Sequence, residues 1–187
     1  GLLVGEMARL YVAFQRQERP SLPALSIRYS DFARWQRSQL QGDYLAEQLA
    51  YWKSQLKDPP PPLQLPVDHP RPGVQTFRGA REPFALDREL SAALDGFCRA
   101  RQTTMFSLLL AVFGLLLYRH TGADDILIGT PAANRARRQL EPLIGFFVNT
   151  VVLRARPSAT MSFDALLAQI HATVRVSFTY QDIPFES

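Results

Sequence analysis

Apolar residues recur along this chain with two periods, and the alternation between them sets out its architecture. Leu3, Met7, Leu10, Tyr11 and Phe14 keep helical spacing and predict an amphipathic helix to about Gln17. Pro20 and Pro23 mark the loop after it. Ser30 is the expected N-cap of a second helix that turns Phe32 and Trp35 inward. Beyond Gly42-Asp43, Leu45, Leu49, Trp52 and Leu56 share one face of a third helix. Four consecutive prolines, Pro59 to Pro62, then force an extended backbone. Residues 63–79, rich in Pro, Gly and charge, read as a long surface crossing that links two lobes.

After the crossing, Arg81–Leu86 is a short strand candidate. Asp87 is the expected cap of a helix with Leu90, Leu94 and Phe97 inward. Thr103 or Thr104 should cap the next helix, which ends near Gly122; it is apolar almost all round and is therefore expected to be buried. Asp125–Thr130 reads as a strand, and Phe146–Arg156 as a longer one rich in Val, Thr and Phe. Ser162 opens a last helix carrying Phe163, Leu166, Leu167, Ile170, Val174 and Phe178 on one face. The sum is an α/β (α+β, two-layer) chain whose sheet is only partly present.

Composition narrows the function classes. The net charge of +4 suits an acidic partner, yet the basic residues are scattered, without the dense run that nucleic-acid binding favours. A single cysteine, Cys98, excludes an internal disulfide and fits a reducing cytoplasm; its apolar helical setting marks it as a buried, inert thiol. The most apolar stretch, Met105–Tyr118, is shorter than the ~20 residues of a spanning helix, and no signal peptide opens the chain. A soluble, cytoplasmic protein is expected. The absence of an initiating Met, and a last residue, Ser187, that directly follows a motif, suggest that both ends are cut. No phosphate loop, metal-spaced cluster or nucleophile elbow occurs.

Five segments carry more information than composition does. They are Tyr29-Ser30-Asp31-Phe32-Ala33-Arg34-Trp35-Gln36-Arg37, Tyr51-Trp52-Lys53, and Leu65-Pro66-Val67-Asp68-His69-Pro70-Arg71-Pro72. The fourth combines Ile128-Gly129-Thr130-Pro131-Ala132-Ala133-Asn134-Arg135 with Leu143-Ile144-Gly145-Phe146-Phe147-Val148-Asn149-Thr150. The fifth is Tyr180-Gln181-Asp182-Ile183-Pro184-Phe185-Glu186. In this order and spacing they resemble the condensation domains of nonribosomal peptide synthetases, across nearly the whole chain. That family's His-His-x-x-x-Asp-Gly motif is absent here, and the resemblance places it upstream of Gly1. Tyr180 stands where the family usually has His or Asn, and Phe147-Val148-Asn149-Thr150 favours a peptide-bond-forming member over an epimerase.

The resemblance implies a chloramphenicol acetyltransferase-like fold, here partial. Residues 1–58 would be the helical tail of the N-terminal lobe, 59–80 the crossover, and 81–187 part of the C-terminal lobe. It further implies amide-bond formation between a carrier-bound acyl or peptidyl thioester and an aminoacyl acceptor. The partners would be upstream and downstream peptidyl carrier proteins, presenting substrates on phosphopantetheine arms, with an adenylation domain neighbouring in the same polypeptide. No cofactor or metal would be bound directly, and this chain alone would be inactive. Two other readings stay open: a catalytically silent domain that docks carriers or a tailoring enzyme, and a related acyltransferase acting on a non-carrier substrate.

Two residues are candidates for supporting the active site. By its motif position Arg135 resembles the arginine that pairs with the Asp of the missing motif; the alternative is a solvated basic turn, since Arg137 and Arg138 follow. Asn149 interrupts a strand-forming run and either faces the tunnel or satisfies neighbouring backbone. His69, His120 and His171 lack placed partners and read as structural or surface residues. Gly129 and Gly145 read as sites of close backbone approach, Trp35 and Trp52 as core, and Asp124-Asp125 as a turn.

Overall fold

A computed structural model describes residues 1–70 and 72–185. Arg71 of the third motif, Glu186 of the fifth, and the last residue, Ser187, lie outside the described residues. In chain order the elements are α1 (Leu2–Gln15), α2 (Tyr29–Gln39), α3 (Gly42–Gln55), α4 (Arg88–Ala100), α5 (Met105–Thr121), β1 (Ile126–Ala132), a 3-10 turn (Arg138–Leu140), β2 (Asn149–Ala155) and α6 (Phe163–Thr179). The two strands pair with each other. No single helix among the described residues is long and apolar enough to cross a membrane.

Local chemistry explains most of the boundaries. Asp87 accepts a hydrogen bond from Leu90 N–H and starts α4; Thr104 does the same for Ser107 and starts α5. Gly122 ends α5 at φ 73°, in the left-handed region that costs glycine least. Ser162 accepts from Ala165 N–H at the head of α6. The second helix departs from expectation. Its cap is Arg28, whose N–H donates to Asp31 Oδ2 at 2.9 Å, so the acid reaching back draws Tyr29 and Ser30 into the first turn.

Other departures concern burial. Arg81–Leu86 forms no strand: no partner strand meets it among the described residues, and Phe84 lies in the open. The longer strand begins at Asn149, not Phe146. Helix α5 buries Ser107, Leu108, Leu110, Ala111, Gly114 and Leu117, but Phe106, Leu109, Val112, Phe113 and Leu116 are 43% to 49% exposed. Apolarity all round therefore does not mean burial all round: this face is only half covered, with Phe106 meeting the Phe178 ring edge-on at 6.4 Å. Helix α1 buries no residue, Leu90 is exposed, and Trp35 rests at the surface rather than in the core. Cys98 is buried, in keeping with its setting.

The chain forms two compact units, and the division passes through both strands. The first comprises Gly1–Leu56, Thr130–Val151 and Thr179–Ser187; the second comprises Lys57–Gly129 and Val152–Phe178. A cluster of Phe32, Leu140, Leu143 and Phe147, with Ile27 against it, forms a core in the first. In the second, buried side chains come from α5, the ends of both strands and α6, with Leu108, Ile126, Leu153 and Ile170 nearly sealed from solvent. An alanine Cβ at Gly114 would lie 3.4 Å from Ala155 Cβ, so α5 packs closely on β2 within this unit.

Arg154 fastens the second unit, and no local pattern in the sequence singles it out. Its buried guanidinium donates to both carboxylate oxygens of Asp125, at 2.7 and 2.6 Å, and to the carbonyls of Lys57 (2.8 Å) and Asp58 (3.0 Å). One side chain thus joins β2, the entry to β1 and the two residues just before the proline-rich crossing. Asp125 is more than a turn residue: the hydrogen bonds from Arg154 hold its carboxyl below the usual range, against the opposing effect of burial. A depressed carboxylate adds stability that is fully present above its unfolded pKa of about 3.9 and is lost as pH falls through the folded value. Arg154→Met should cost about 2–4 kcal/mol, because it leaves the partly buried carboxylate with only the exposed Arg156, at 3.4 Å, and takes the donor from two carbonyls. Thermal melts should show the gap between wild type and Asp125→Asn constant above about pH 5 and shrinking below about pH 4.

Candidate functional site

The first unit brings together most of the motif residues. Asn134, just beyond β1, has φ 49°, a left-handed conformation that asparagine tolerates better than most side chains, and it turns the chain so that Arg135 points back. Arg135 Nη1 donates to the carbonyl of Leu140 and, at 2.9 Å, to that of Leu143. The guanidinium lies over the Phe147 ring, 4.0 Å from its centroid. The ring beneath it is buried, packed 4.7 Å from Phe32 and edge-on to Tyr29 at 5.2 Å. A solvated basic turn does not describe this arrangement. Arg135 Nε and Nη2 make no hydrogen bond among the described residues, so one edge of the fork holds the loop and the other is uncommitted.

Arg137 is a contrast: it stacks over the partly exposed Trp35 at 4.4 Å and closes the surface end of the cluster. Tyr29 ties α2 to the same loop, its hydroxyl donating to Phe146 carbonyl at 2.8 Å. Gly145 lies directly under this ring. A Cβ there would overlap Tyr29 Cδ2 and come within 2.7 Å of Cε2. The close approach expected of Gly145 is therefore made by a side chain, the Tyr29 ring, and not by backbone.

Asn149 opens β2 with its carboxamide fully engaged. Nδ2 donates to the carbonyls of Gln181 (2.7 Å) and Ile183 (2.6 Å); Oδ1 accepts from the N–H groups of Thr150 (2.9 Å) and Phe185 (3.1 Å). Of the two possibilities open for this residue, the structure displays backbone satisfaction. Asp182 of the same segment accepts from Tyr44 at 2.5 Å, and this hydrogen bond pushes the tyrosine up to about 12.

All three histidines belong to the second unit. His69 and His120 are exposed. His171, in the second unit, has Nδ1 3.2 Å from both Thr103 Oγ1 and Ser107 Oγ, beside a groove of about 510 Å³ that Arg101, Asp164 and Arg175 also line. Hydroxyl partners on one ring nitrogen, with Ser107 wholly buried, amount to a helix-to-helix tie.

A family model described as "Condensation domain" matches residues 1–187. The chain belongs to the condensation-domain family. It is 48% identical, over 186 residues, to one of the linear gramicidin synthase polypeptides of Brevibacillus parabrevis, and 46% identical to phosphinothricin tripeptide synthetase PhsC of Streptomyces viridochromogenes. Both alignments cover 100% of this chain but only 4% and 17% of those synthetases. Among solved structures it resembles the X-domain in complex with OxyB from teicoplanin biosynthesis, with a TM-score of 0.86, 27% identity, and coverage of 96% of this chain and 40% of that one. The fold is accordingly the chloramphenicol acetyltransferase-like α/β fold of condensation domains, in part. The relatives are nonribosomal peptide synthetases, so the chain is a segment of such a condensation domain.

In the condensation-domain segment the Tyr29–Gly145 packing is testable. Gly145→Ala must push the ring aside and break its bond to Phe146 carbonyl. It should lower the melting temperature by roughly 3–10 °C, the cost of overpacking by one methyl in a domain of this size. Removing the ring as well, in Gly145→Ala with Tyr29→Ala, should leave no further penalty from the added methyl.

Proposed function

We propose that this chain serves a condensation domain that forms an amide bond between an acyl or peptidyl thioester on an upstream carrier protein and the amine of an aminoacyl group on a downstream one. The carrying observation is 48% identity to a linear gramicidin synthase polypeptide over the whole chain. In this reading residues 1–58 are the helical tail of the N-terminal lobe, 59–80 the crossover, and 81–187 part of the C-terminal lobe. The carriers' phosphopantetheine arms deliver both substrates, an adenylation domain lies nearby in the same polypeptide, and the machine works in the cytoplasm.

Two tethered substrates meet at high effective concentration and in fixed geometry. A motif histidine from the remainder of the domain orients the attacking amine or takes its proton. Arg135 is a positioning residue: the uncommitted edge of its guanidinium suits a bidentate pair with the motif Asp, while the other edge holds the carbonyls of Leu140 and Leu143. The catalytic loop would then rest on the Phe147 cluster through one side chain. Asn149 supports the same region through backbone hydrogen bonds. The chain by itself is inactive in this reading, since it contains no His-His-x-x-x-Asp-Gly.

A second reading has specific support. The X-domain fold match comes from a complex with OxyB, so a silent domain that recruits a tailoring enzyme is the alternative. An intact or degraded His motif in the rest of the domain separates the two. Reconstitution of the complete domain with loaded carriers, followed by mass spectrometry of the product thioester, tests the first. Dipeptide should form, and Arg135→Ala should slow it by about 10- to 100-fold while the lysine variant recovers little, because a lysine cannot make the planar double contact. The 187-residue chain alone should make none. Full activity of the Arg135→Ala domain would remove this residue from the site.

A further inference from the structure

The Tyr180–Phe185 segment is held from two sides, and neither composition nor family resemblance gives it a function beyond local packing. Tyr180, in the position that usually holds His or Asn, stacks on Tyr51 of α3 with centroids 4.3 Å apart and planes 12° from parallel. Its hydroxyl donates to Glu47 at 3.2 Å, and its carbonyl accepts from the Trp52 indole at 2.8 Å. Asp182 takes the Tyr44 hydroxyl. From the opposite side Asn149 grips the carbonyls of Gln181 and Ile183 and the N–H of Phe185. Between these anchors the Ile183 side chain is buried, while Phe185 is 60% exposed. Val148 and Phe146, which precede Asn149, are exposed too.

We propose that Asn149 and Tyr180 form a two-sided clamp on residues 180–185, and that Asn149 is a positioning residue acting through this segment rather than on substrate. The proposal rests on the condensation reading for the reaction it serves, though not for its geometry. Hydrogen-bonding capacity decides the role. A carboxamide offers two N–H donors and one oxygen with two lone pairs, and all four are spent on backbone. Contact with an amine or thioester would have to break one of these bonds and leave a partly buried carbonyl or N–H unpaired, at a cost that weak substrate contacts do not offset. No other side chain fits. Aspartate has no donor, serine has one, and glutamine is longer by a methylene. The clamp fixes where the Phe185 backbone meets the start of β2, and with it the exposed apolar edge formed by Phe146, Val148 and Phe185.

Asn149→Asp is the discriminating variant. At neutral pH it sets a carboxylate against two carbonyl oxygens and loses both donors; protonation restores one donor, and the carbonyls push its pKa above the ordinary ~3.9, against the Thr150 and Phe185 N–H groups that favour the anion at the other oxygen. Trp52 reports on the segment through its bond to Tyr180, and Trp35→Phe leaves it as the sole tryptophan of this 187-residue chain. In that background, Asn149→Asp should shift Trp52 emission to the red at about pH 7.5 and recover most of the shift near pH 4.5. Tyr180→Ala should give the red shift with no pH recovery, and Tyr180→Phe, which keeps the stack, should regain most of it. The recovery on acidification shows that the variant has kept its fold. In the complete domain with its carriers, Asn149→Asp should lower the maximal condensation rate about tenfold or more, with less than about a twofold change in the carrier concentration giving half that rate. An unshifted Trp52 emission overturns the clamp. So does a raised half-saturating carrier concentration at an unchanged maximal rate, which marks direct contact with the incoming substrate. If the emission responds as described but the wild-type domain makes no product, the condensation reading fails and the clamp stands.

Discussion

A guanidinium laid over a buried aromatic ring must find acceptors or return to water, and the first unit is arranged around that requirement. Arg135 meets it with the carbonyls of Leu140 and Leu143, at the end of the short 3-10 turn and just beyond it, the first of which also accepts the Leu143 N–H at 3.3 Å. The loop therefore has one place to go, and Phe147, next to the start of β2, is drawn under the charge. Tyr29 then closes over Gly145, which has to be glycine for the ring to fit. Neutral carbonyls satisfy hydrogen-bonding capacity without neutralising the charge. Arg135 thus has no carboxylate partner among the described residues, and the Nε–Nη2 edge of its fork stays unused.

Arg154 shows the opposite solution in the second unit. Its charge is buried, paired face to face with Asp125, and its remaining donors go to Lys57 and Asp58 at the root of the proline-rich crossing. A buried pair of this kind is costly to break and adds little net stability over an apolar replacement, so its value lies in specifying one arrangement of three distant segments. Both arginines act as fasteners of backbone. They differ in that Arg154 has its carboxylate partner beside it, whereas Arg135 keeps an edge suited to one.

Exposed apolar surface is the other large feature of the chain. One face of α5 is half exposed and α1 buries no residue, and a two-stranded sheet is too small to be stable without further packing. The chain spans 40% of the solved X-domain chain it resembles. Helix α5, patterned for burial on both sides, has one side half exposed.

Periodicity and capping chemistry make the helices legible, because Asp87, Thr104, Gly122 and Ser162 act within a few residues of the ends they set. The five motif strings make the family legible, and with it the fold. Position along the chain also singles out Arg135 and Asn149. Their partners are out of reach of any local reading. Nothing near Asn149 in sequence announces Gln181, Ile183 and Phe185, 32 to 36 residues away, and nothing near Arg154 announces Lys57 or Asp58, 97 and 96 residues away. The half-open α5 departs from expectation for a related reason: apolarity states what a face prefers, while exposure depends on which other segments are there to cover it. The sequence by itself determined the helices, their caps and the family. Tertiary structure alone decided which donors meet which carbonyls, because hydrogen-bond pairing at long range depends on how distant segments are brought together and leaves no trace in local pattern.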